Sequence, residues 1–489
     1  MTQTTTRKWS PYQEAIFAAV ADQSSPSLIV RAVAGSGKTT TIVQALAGVA
    51  PSVSSIFLAF NKAIATELGS RGVNARTFHS LCYSPVTRAT GIKAVDSNKL
   101  RTLMRDEKQF SQDDRNTYGT AACKLVGLAR NDAIGATAED TEQAWLNLAE
   151  RHDVAPDSEE GSISRMITVA RKLLEVSNAS KSLLDFDDLL YRAVRDNIPL
   201  PKFDLILVDE SQDTNAIQRA ILRKIMAAGA RIVAVGDAAQ AIYGFRGADS
   251  GAMDLIAAEF GCVSLPLTVT YRCDKAIVKY ASQWAPLEAA PSAGAGEVKD
   301  MSEEWSPKDF WADDLIVCRT NAPLVSLAYK LIRSRIPCHI MGREIGQGLV
   351  TLIQKLQAKG IENLREKLAE WAKRETMRAE AKGNDAMVAA IEDKVECIEV
   401  LISSLPENSR TVPELCRTIE SLFSATTGVT LASIHKSKGL EASRVWWLNR
   451  SACPSKWAKQ AWQKEQEANL CYVAATRAKH SLCLIEMPR

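Results

Sequence analysis

Short apolar runs rich in β-branched residues recur along the chain, and each lies beside a stretch with the spacing of an amphipathic helix. Strands that are apolar at nearly every position and alternate with helices are typical of parallel sheets covered on both faces. The pattern therefore predicts an α/β fold. In the last run, we expect alternation to turn one ring of Trp446 and Trp447 inward, and we assign both a structural role. The runs occupy residues 27–30, 55–60, 205–208, 231–235, 314–318 and 444–448.

Two stretches interrupt this alternation with helical periodicity alone. Residues 92–195 contain helix-like segments at 98–109, 141–151 and 164–175, and residues 361–405 repeat Glu, Lys, Arg and Ala with a period of about 3.6 residues. We interpret both as mainly helical insertions into α/β domains. The predicted organisation is a first domain at 1–90 and 181–264 with an insertion at 91–180, then a second domain at 265–342 and 425–489 with a short insertion at 343–424.

The composition is that of an ordinary folded protein. The 489 residues are 46% hydrophobic and 24% charged, which excludes a collagen-like, mucin-like or disordered chain. A formal charge of +3 neither requires nor excludes a polyanionic partner. Any affinity for nucleic acid must therefore come from a local basic groove.

Cysteine usage and hydropathy bear on location. The 11 cysteines are scattered without a C-x-x-C pair, which indicates reduced thiols in the cytosol rather than a metal site or a disulfide framework. No apolar stretch approaches the roughly 18 to 20 residues of a membrane helix, and residues 1–8 lack the apolar region of a signal peptide. We expect a cytoplasmic protein without a membrane partner.

The strongest local signal is the string AVAGSGKT at residues 32–39, which follows a predicted strand and opens a predicted helix. Glycines allow a tight turn whose N–H groups point at phosphate oxygens, and the helix N-terminus adds partial positive charge. Lys38 would reach the β- and γ-phosphates and Thr39 would hold Mg²⁺, although Ala32 replaces the usual opening glycine. The predicted nucleotide-binding residues of this loop are Ala34, Gly35, Ser36, Gly37, Lys38, Thr39 and Thr40.

A second signal is the apolar run that ends in Asp209 and Glu210. Such a strand places its acids at the carboxyl edge of the sheet, beside a phosphate loop. Asp209 can hold Mg²⁺, and Glu210 can orient and deprotonate the attacking water. Arg272 and Arg477 are candidates for stabilising the charge that develops on the transferred phosphoryl group.

Read in order, these residues resemble the UvrD-like DNA helicases of superfamily 1, the UvrD, PcrA and Rep type, with details closest to the F-box DNA helicase branch. The resemblance covers nearly the whole chain apart from the two insertions. It is carried by the strings WSPYQEAI, AVAGSGKTT, FLAFNKAIA, ARTFHSLC, DFDDLL, ILVDESQDT, VGDAAQAIYGFRGAD, LTVTYRC, IVCRTN, TLASIHKSKGLE and NLCYVAATRAK.

The resemblance implies two RecA-like motor domains in tandem, with ATP bound by both. Gln13 would read the adenine edge, Tyr271 would stack on the base, and Glu441 would bond the ribose. It implies further that Gln240 senses the γ-phosphate, and that the two arginines named above act as arginine fingers from the second domain.

The resemblance also implies a channel for single-stranded DNA, where aromatic faces stack on bases and polar groups contact phosphates. The stacking or wedging residues would be Phe60 with Asn61, Tyr243 and Phe245. The same channel would be lined by Thr77, Phe78, His79, Arg246 and His435.

The favoured function is therefore an ATP-dependent helicase or translocase that moves 3′-to-5′ on single-stranded DNA and acts at single/double-strand junctions. The insertion at 343–424 is shorter than the accessory domain of the family, which motivates an alternative, a module that binds ATP and DNA to recruit a nuclease or a replication or repair factor without processive unwinding. With little chain after the last motif for a fused nuclease, cleavage would need such a partner. A third candidate function is a small-molecule kinase that uses the same phosphate loop. It would give no role to the two distant arginines or to the second α/β domain.

Overall fold

The computed structural model describes residues 8–106, 108–158, 160–242, 244, 251–302, 304–381, 385–406, 410–424 and 427–487. The chain divides into two compact units, one ending at Thr268 and the other beginning at Val269. Each is built on a parallel sheet with helices, so the predicted α/β class is confirmed.

The described strands of the first unit are β1 (Leu28–Ala32), β2 (Ser55–Leu58), β3 (Ala75–Arg76), β4 (Phe203–Val208), β5 (Met226–Gly236) and β6 (Val263–Leu267). They pair in parallel in the order β3-β2-β4-β5-β1-β6. The boundary predicted after residue 264 falls within β6, whose pairing with β1 keeps residues 265–267 in the first unit.

The helices of the first unit are α1 (Pro11–Ala21), α2 (Lys38–Leu46), α3 (Lys62–Ser70), α4 (Phe78–Thr90), α5 (Lys99–Met104), α6 (Gln112–Asn131), α7 (Glu142–Arg151), α8 (Ile163–Ala179), α9 (Phe186–Arg195), α10 (Ala216–Ile225) and α11 (Ala252–Phe260). The segment predicted as an insertion, 91–180, holds α5 to α8.

Alternate residues of the first sheet pack into two separate cores. Val30 and Phe57 face one side, where they join Ile42 of α2. Ile29 faces the other side and shares one continuous core with Trp145 of α7. The helical segment thus packs against the face of the sheet, because both bury apolar surface in the same cluster.

The strands of the second unit are β7 (Val269–Thr270), β8 (Glu288–Ala289), β9 (Glu297–Ser302), β10 (Leu315–Cys318), β11 (Cys338–Ile340), β12 (Val429–Ser433), β13 (Ala442–Leu448) and β14 (Ala478–Ile485). The main parallel sheet has the order β11-β12-β10-β13-β14-β9, and β7 pairs separately with β8. The helices are α12 (Lys275–Ala281), α13 (Ala322–Arg333), α14 (Arg343–Leu356), α15 (Ile361–Ala381), α16 (Asp385–Ser404), α17 (Val412–Ser424) and α18 (Ala461–Ala475).

Both tryptophans of β13 are buried, whereas alternation predicted one inward ring. Trp446 packs on Phe310 with ring centroids 4.6 Å apart, and Trp447 packs on Trp284 at 6.1 Å. Both point inward because the sheet is covered on each face, so alternation separates two cores rather than core from solvent. The predicted structural role of the pair agrees with this packing.

All 11 cysteines are free thiols. Within the described residues, no helix has the length and apolar character needed to cross a membrane.

Candidate functional site

The predicted phosphate loop connects β1 to α2 at the carboxyl edge of the first sheet. Gly35 and Gly37 have positive φ angles of 71° and 76°, which glycine adopts without steric cost. The buried Ser36 hydroxyl donates to the Val33 carbonyl at 2.8 Å and closes the turn from inside. Because α2 begins at Lys38, its first N–H groups and the positive end of its dipole face the loop. This is the geometry of an anion-binding site.

The other residues predicted to contact the nucleotide surround this loop. Ala34 is buried within it, whereas Thr40 is exposed on the first turn of α2. Gln13 is buried in α1, where its side-chain amide nitrogen donates to the Thr41 hydroxyl at 3.0 Å and its carbonyl accepts from the Ser10 N–H at 3.1 Å. The glutamine thus ties α1 to the helix that follows the loop.

The two acids after β4 meet the first turn of α2. The Thr39 hydroxyl donates to Asp209 Oδ2 at 2.9 Å, and Lys38 Nζ lies 3.9 Å from Glu210 Oε1. Glu210 has a φ of 50°, a left-handed conformation that is uncommon for a residue with a side chain. The predicted lysine, threonine and two acids therefore lie together in one unit.

Burial governs the charge state of Asp209. Removal from water, and then the negative charge of Glu210, raise the pKa of the Asp209 carboxyl to about 6, while Lys38 and the Thr39 hydroxyl oppose the rise. A carboxylate in this setting gains free energy from a neighbouring cation.

A third acid, which our sequence analysis did not assign, completes the cluster. Asp237 follows β5 as Asp209 follows β4, and its buried carboxylate accepts from Gln240 Nε2 at 2.6 Å. Its backbone N–H donates to Gln212 Oε1 at 3.0 Å, and the Gln212 amide nitrogen donates in turn to Glu210. The string VGDAAQ carried the signal, an apolar strand that ends in an acid. Hydrogen bonds thus connect Glu210 to Gln240 through Gln212 and Asp237.

The close approach of two strand ends requires glycine at position 236. A Cβ there would lie 2.5 Å from Gln212 Oε1 and 2.7 Å from Ser211 Oγ, closer than such atoms pack. Gly236 therefore allows Gln212 to bridge from β4 to β5.

A cleft of about 420 Å³ opens beside the acids in the first unit. It brings Asp209 and Glu210 together with residues predicted to bind DNA. The lining consists of Leu58, Ala59, Phe60, Thr77, Phe78, His79, Asn131, Asp187, Asp209, Glu210, Asp213, Thr214, Asn215 and Gln218.

The predicted DNA-binding residues of the first unit differ in what they offer a ligand. Phe60 is 46% exposed, whereas Phe78 is buried. Asn61 and Thr77 cap the N-termini of α3 and α4 with their side-chain oxygens. His79 lies half-buried in the cleft, and burial lowers the pKa of its imidazole. The neutral ring favoured by this shift suits stacking rather than charge pairing.

In the DFDDLL string, Asp187 lines the cleft and Phe186 contacts the lining residue His79, although neither was assigned individually. The Phe186 ring is 57% exposed and makes an edge contact with His79, with centroids 6.3 Å apart. Asp187 lines the cleft, where burial and then the charge of Asp185 raise the pKa of its carboxyl to about 6.

In the second unit, Arg272 follows β7 and pairs with Glu441, from Nε to Oε2 at 2.7 Å. The other oxygen of Glu441 lies 2.7 Å from Lys479 Nζ. These two cations lower the pKa of the Glu441 carboxyl against the effect of burial. The adjacent Tyr271 is 42% exposed, as a stacking platform must be.

Arg477 is held differently from Arg272. Its guanidinium is buried and donates to the backbone carbonyls of Val473 and Leu440, each at 3.0 Å. His435 lies half-buried in the turn after β12. Tyr243, Phe245 and Arg246, the other residues predicted to bind DNA, lie outside the described residues.

Models of known protein families match both units. The model of the UvrD/REP helicase N-terminal domain matches residues 12–261, just over half of the 489-residue chain. The chain belongs to the UvrD-like helicase family. The model of the UvrD-like helicase C-terminal domain matches residues 350–488 of the same chain.

Curated relatives of this UvrD-like helicase agree. It is 27% identical to F-box DNA helicase protein 1 of Schizosaccharomyces pombe, over 94% of the chain and 55% of that protein. It is 26% identical to ATP-dependent DNA helicase UvrD1 of Mycobacterium tuberculosis, over 66% of the chain and 49% of that protein. It is also 26% identical to a probable DNA helicase II homolog of Mycoplasma genitalium, over 52% of the chain and 40% of that protein. The chain spans about half the length of the curated relatives it matches.

The family and the fold agree on architecture. Two units, each with a parallel sheet, are the tandem RecA-like arrangement expected of a UvrD-like helicase. The predicted family and fold class are therefore confirmed.

The donor set beside the phosphate loop fits Mg²⁺. The Thr39 hydroxyl and the Asp209 carboxylate offer hard oxygen ligands on adjacent elements. Within the described residues, no group of three or more His, Cys, Asp or Glu side chains is arranged to hold a metal ion. The fit is therefore to an ion that takes most of its ligands from phosphate and water, as Mg²⁺ does in nucleotide sites.

Proposed function

We propose that this UvrD-like helicase is a DNA-dependent ATPase that moves 3′-to-5′ on single-stranded DNA and unwinds duplex DNA. The observation that carries the proposal is one cleft that joins Asp209 and Glu210 to Phe60 and to Thr77, Phe78 and His79. Groups suited to hydrolysis and groups suited to base stacking line the same cleft, so a ligand bound by one set can affect the other. The 3′-to-5′ direction rests on family resemblance.

In the proposed reaction, Lys38 and the loop N–H groups bind the phosphates of ATP. Thr39 and Asp209 would hold Mg²⁺, which when bound would neutralise phosphate charge. Glu210 orients the attacking water and takes its proton, with its carboxylate held by Lys38 and the Gln212 amide.

The proposed coupling uses the same hydrogen bonds. Gln240 senses the γ-phosphate, and its amide is bonded to Asp237. Gln13 and Tyr271 bind the base, Glu441 bonds the ribose, and Arg272 and Arg477 supply positive charge from the second unit. Closure of the two domains on ATP and release after hydrolysis would then drive movement along DNA.

Steady-state ATP hydrolysis with and without single-stranded DNA, with Lys38→Ala as the blank, tests the ATPase. We expect stimulation of manyfold by DNA and no hydrolysis by the variant. A chain that binds ATP and ignores DNA would overturn the proposal.

Strand displacement tests movement. The proposed helicase displaces a strand from a duplex with a 3′ tail and fails on a duplex with a 5′ tail. DNA-stimulated hydrolysis without displacement would instead favour the recruitment module, which binds ATP and DNA and depends on a nuclease or a replication or repair factor.

A further inference from the structure

Two cationic side chains from separate segments meet at the carboxylate of Glu441 in the second unit. Glu441 precedes β13, Lys479 lies near the start of β14, and Arg272 follows β7. Glu441 Oε2 accepts from Arg272 Nε at 2.7 Å, and Glu441 Oε1 lies 2.7 Å from Lys479 Nζ. Each oxygen of the carboxylate is thus engaged by a different cation.

The backbone holds these segments in place independently of the side chains. The Asp274 N–H donates to the Lys479 carbonyl at 2.9 Å, and the Ala442 N–H donates to the Arg477 carbonyl at 3.1 Å. The segment that carries the arginine and the segment that carries Glu441 are both bonded to the start of β14. The backbone of Lys479 is therefore held beside both segments by the fold.

The two cations leave Glu441 with acceptor capacity. An ionised carboxylate offers about four lone-pair sites on its two oxygens. A lysine ammonium is a compact point charge that occupies one such site, unlike a guanidinium that can span both oxygens. Lys479 pairs with Oε1, and Arg272 donates through Nε to Oε2 instead of forming a bidentate pair with both oxygens. Lone pairs on both oxygens then stay available to hydroxyl donors.

We propose that Lys479 is a positioning residue that holds Glu441 between two cations so that the carboxylate accepts the ribose hydroxyls of the nucleotide. The inference rests on the proposed function, in which Glu441 bonds the ribose. Lys479 then sets the preference for nucleotides that carry these hydroxyls without touching the nucleotide itself.

The effect is modest, because the three groups are partly exposed. The side chains of Lys479 and Glu441 are 36% and 41% exposed, and solvent screens such pairs. Loss of the lysine should change sugar preference by about two- to fivefold.

The test compares ATP with 2′,3′-dideoxy-ATP on the 489-residue chain. Equilibrium binding and DNA-stimulated hydrolysis are measured for both nucleotides with the wild type, Lys479→Ala and Lys479→Arg. We expect the wild type to prefer ATP, Lys479→Ala to lose much of that preference through a higher KM for ATP at nearly unchanged kcat, and Lys479→Arg to retain part of it.

Two controls test whether Lys479 acts on sugar preference through Glu441. Lys464→Ala removes an exposed lysine from α18 and should leave the preference unchanged. In a Glu441→Ala background, removal of Lys479 should have no further effect on sugar preference, because the residue acts through the carboxylate.

Several outcomes would overturn the inference. An equal loss for both nucleotides would mean that Lys479 acts elsewhere than at the sugar, and unchanged preference in Lys479→Ala would remove its role. A wild type that binds both nucleotides equally would contradict it as well. Preference in binding without any hydrolysis would instead reject the proposed ATPase and leave the inference standing.

Discussion

At the scale of single residues, the candidate site includes a backbone position held in a costly conformation. Glu210 has a left-handed backbone, and its carboxylate lies between Lys38 and Gln212. A left-handed residue with a side chain costs about 1–2 kcal/mol. Such strain persists where surrounding contacts over-determine the position, as they do here, and it aims the acid toward the loop.

Glu210→Gln should bind ATP normally and hydrolyse it about 100- to 10,000-fold more slowly, because the amide keeps the shape of the acid but cannot take a proton. Single-turnover hydrolysis and equilibrium ATP binding check this. Glu67→Gln, at an exposed glutamate of α3, is the matched control. Turnover at the wild-type rate would remove Glu210 from the reaction.

Gly236→Ala should abolish most DNA-stimulated hydrolysis, since the new Cβ would displace Gln212 from its place between Glu210 and Asp237. Gly69→Ala is the control, because a Cβ there meets no atom within 4 Å. That exposed helical change should be neutral or stabilise by up to about 1 kcal/mol. Equal activity of the two variants would contradict a requirement for the close approach.

At the scale of elements, a buried charge network fastens the helical segment to α9. Lys99 of α5 and Arg130 of α6 both pair with Asp188, at 2.6 and 3.2 Å, and Arg130 also bonds Asp185 at 2.8 Å. All these side chains are buried. Since α9 also carries Asp187 into the cleft, the network fixes one wall of the candidate site.

Asp188→Asn should lower the free energy of unfolding by about 3–5 kcal/mol, because it leaves two buried cations without full compensation. Urea denaturation measures the loss. Removing Glu67 from its exposed pair with Arg71, as in Glu67→Gln, should cost no more than about 1 kcal/mol. Equal effects of the two substitutions would show that the buried network adds no stability.

Phe60→Ala should spare hydrolysis without DNA and raise the DNA concentration for half-maximal stimulation, since one stacked base is worth about 1–3 kcal/mol. Tyr83→Ala offers a control with a similarly exposed ring, 45% against 46%, outside the residues that line the cleft. A parallel change in both variants would argue against a specific stacking role for Phe60.

At the scale of the whole molecule, the proposed function divides one reaction between two units. The phosphate loop and the acids belong to the first, while Arg272, Arg477 and Glu441 belong to the second. The proposed reaction thus uses residues of both units, and hydrolysis should be sensitive to substitutions far apart in the sequence.

Arg272→Ala should retain ATP binding within a few-fold and lose at least about 100-fold in hydrolysis, because its charge is needed mainly in the transition state. Arg333→Ala, at an exposed arginine of α13, should behave as the wild type. Pre-steady-state hydrolysis separates binding from chemistry. A matched loss of binding and hydrolysis would place Arg272 in ground-state binding instead.

Much of the candidate site was accessible from sequence because its residues stand at the ends of apolar runs or inside short motifs. The loop at 32–39 and the acids after β4 are local patterns, since a strand, a turn and a helix start are encoded within a few residues. Asp237 follows an apolar run in the same way, after β5, but the motif comparison assigned a role only to the nearby Gln240. Lys479 ends the string NLCYVAATRAK, but nothing in that string indicates its pairing with Glu441, because the partner lies 38 positions away.

The α/β class, the family and the candidate groups for binding and hydrolysing a nucleotide follow from the sequence alone, because periodicity and motif spacing are local properties. The tertiary structure is needed to place β6 at the edge of the first sheet, to bury both Trp446 and Trp447, and to join the helical segment to the sheet in one core. It alone brought Gln212 to Asp237 and Lys479 to Glu441. Those contacts follow from strand order and register, which depend on the packing of distant segments and leave no mark in the local pattern.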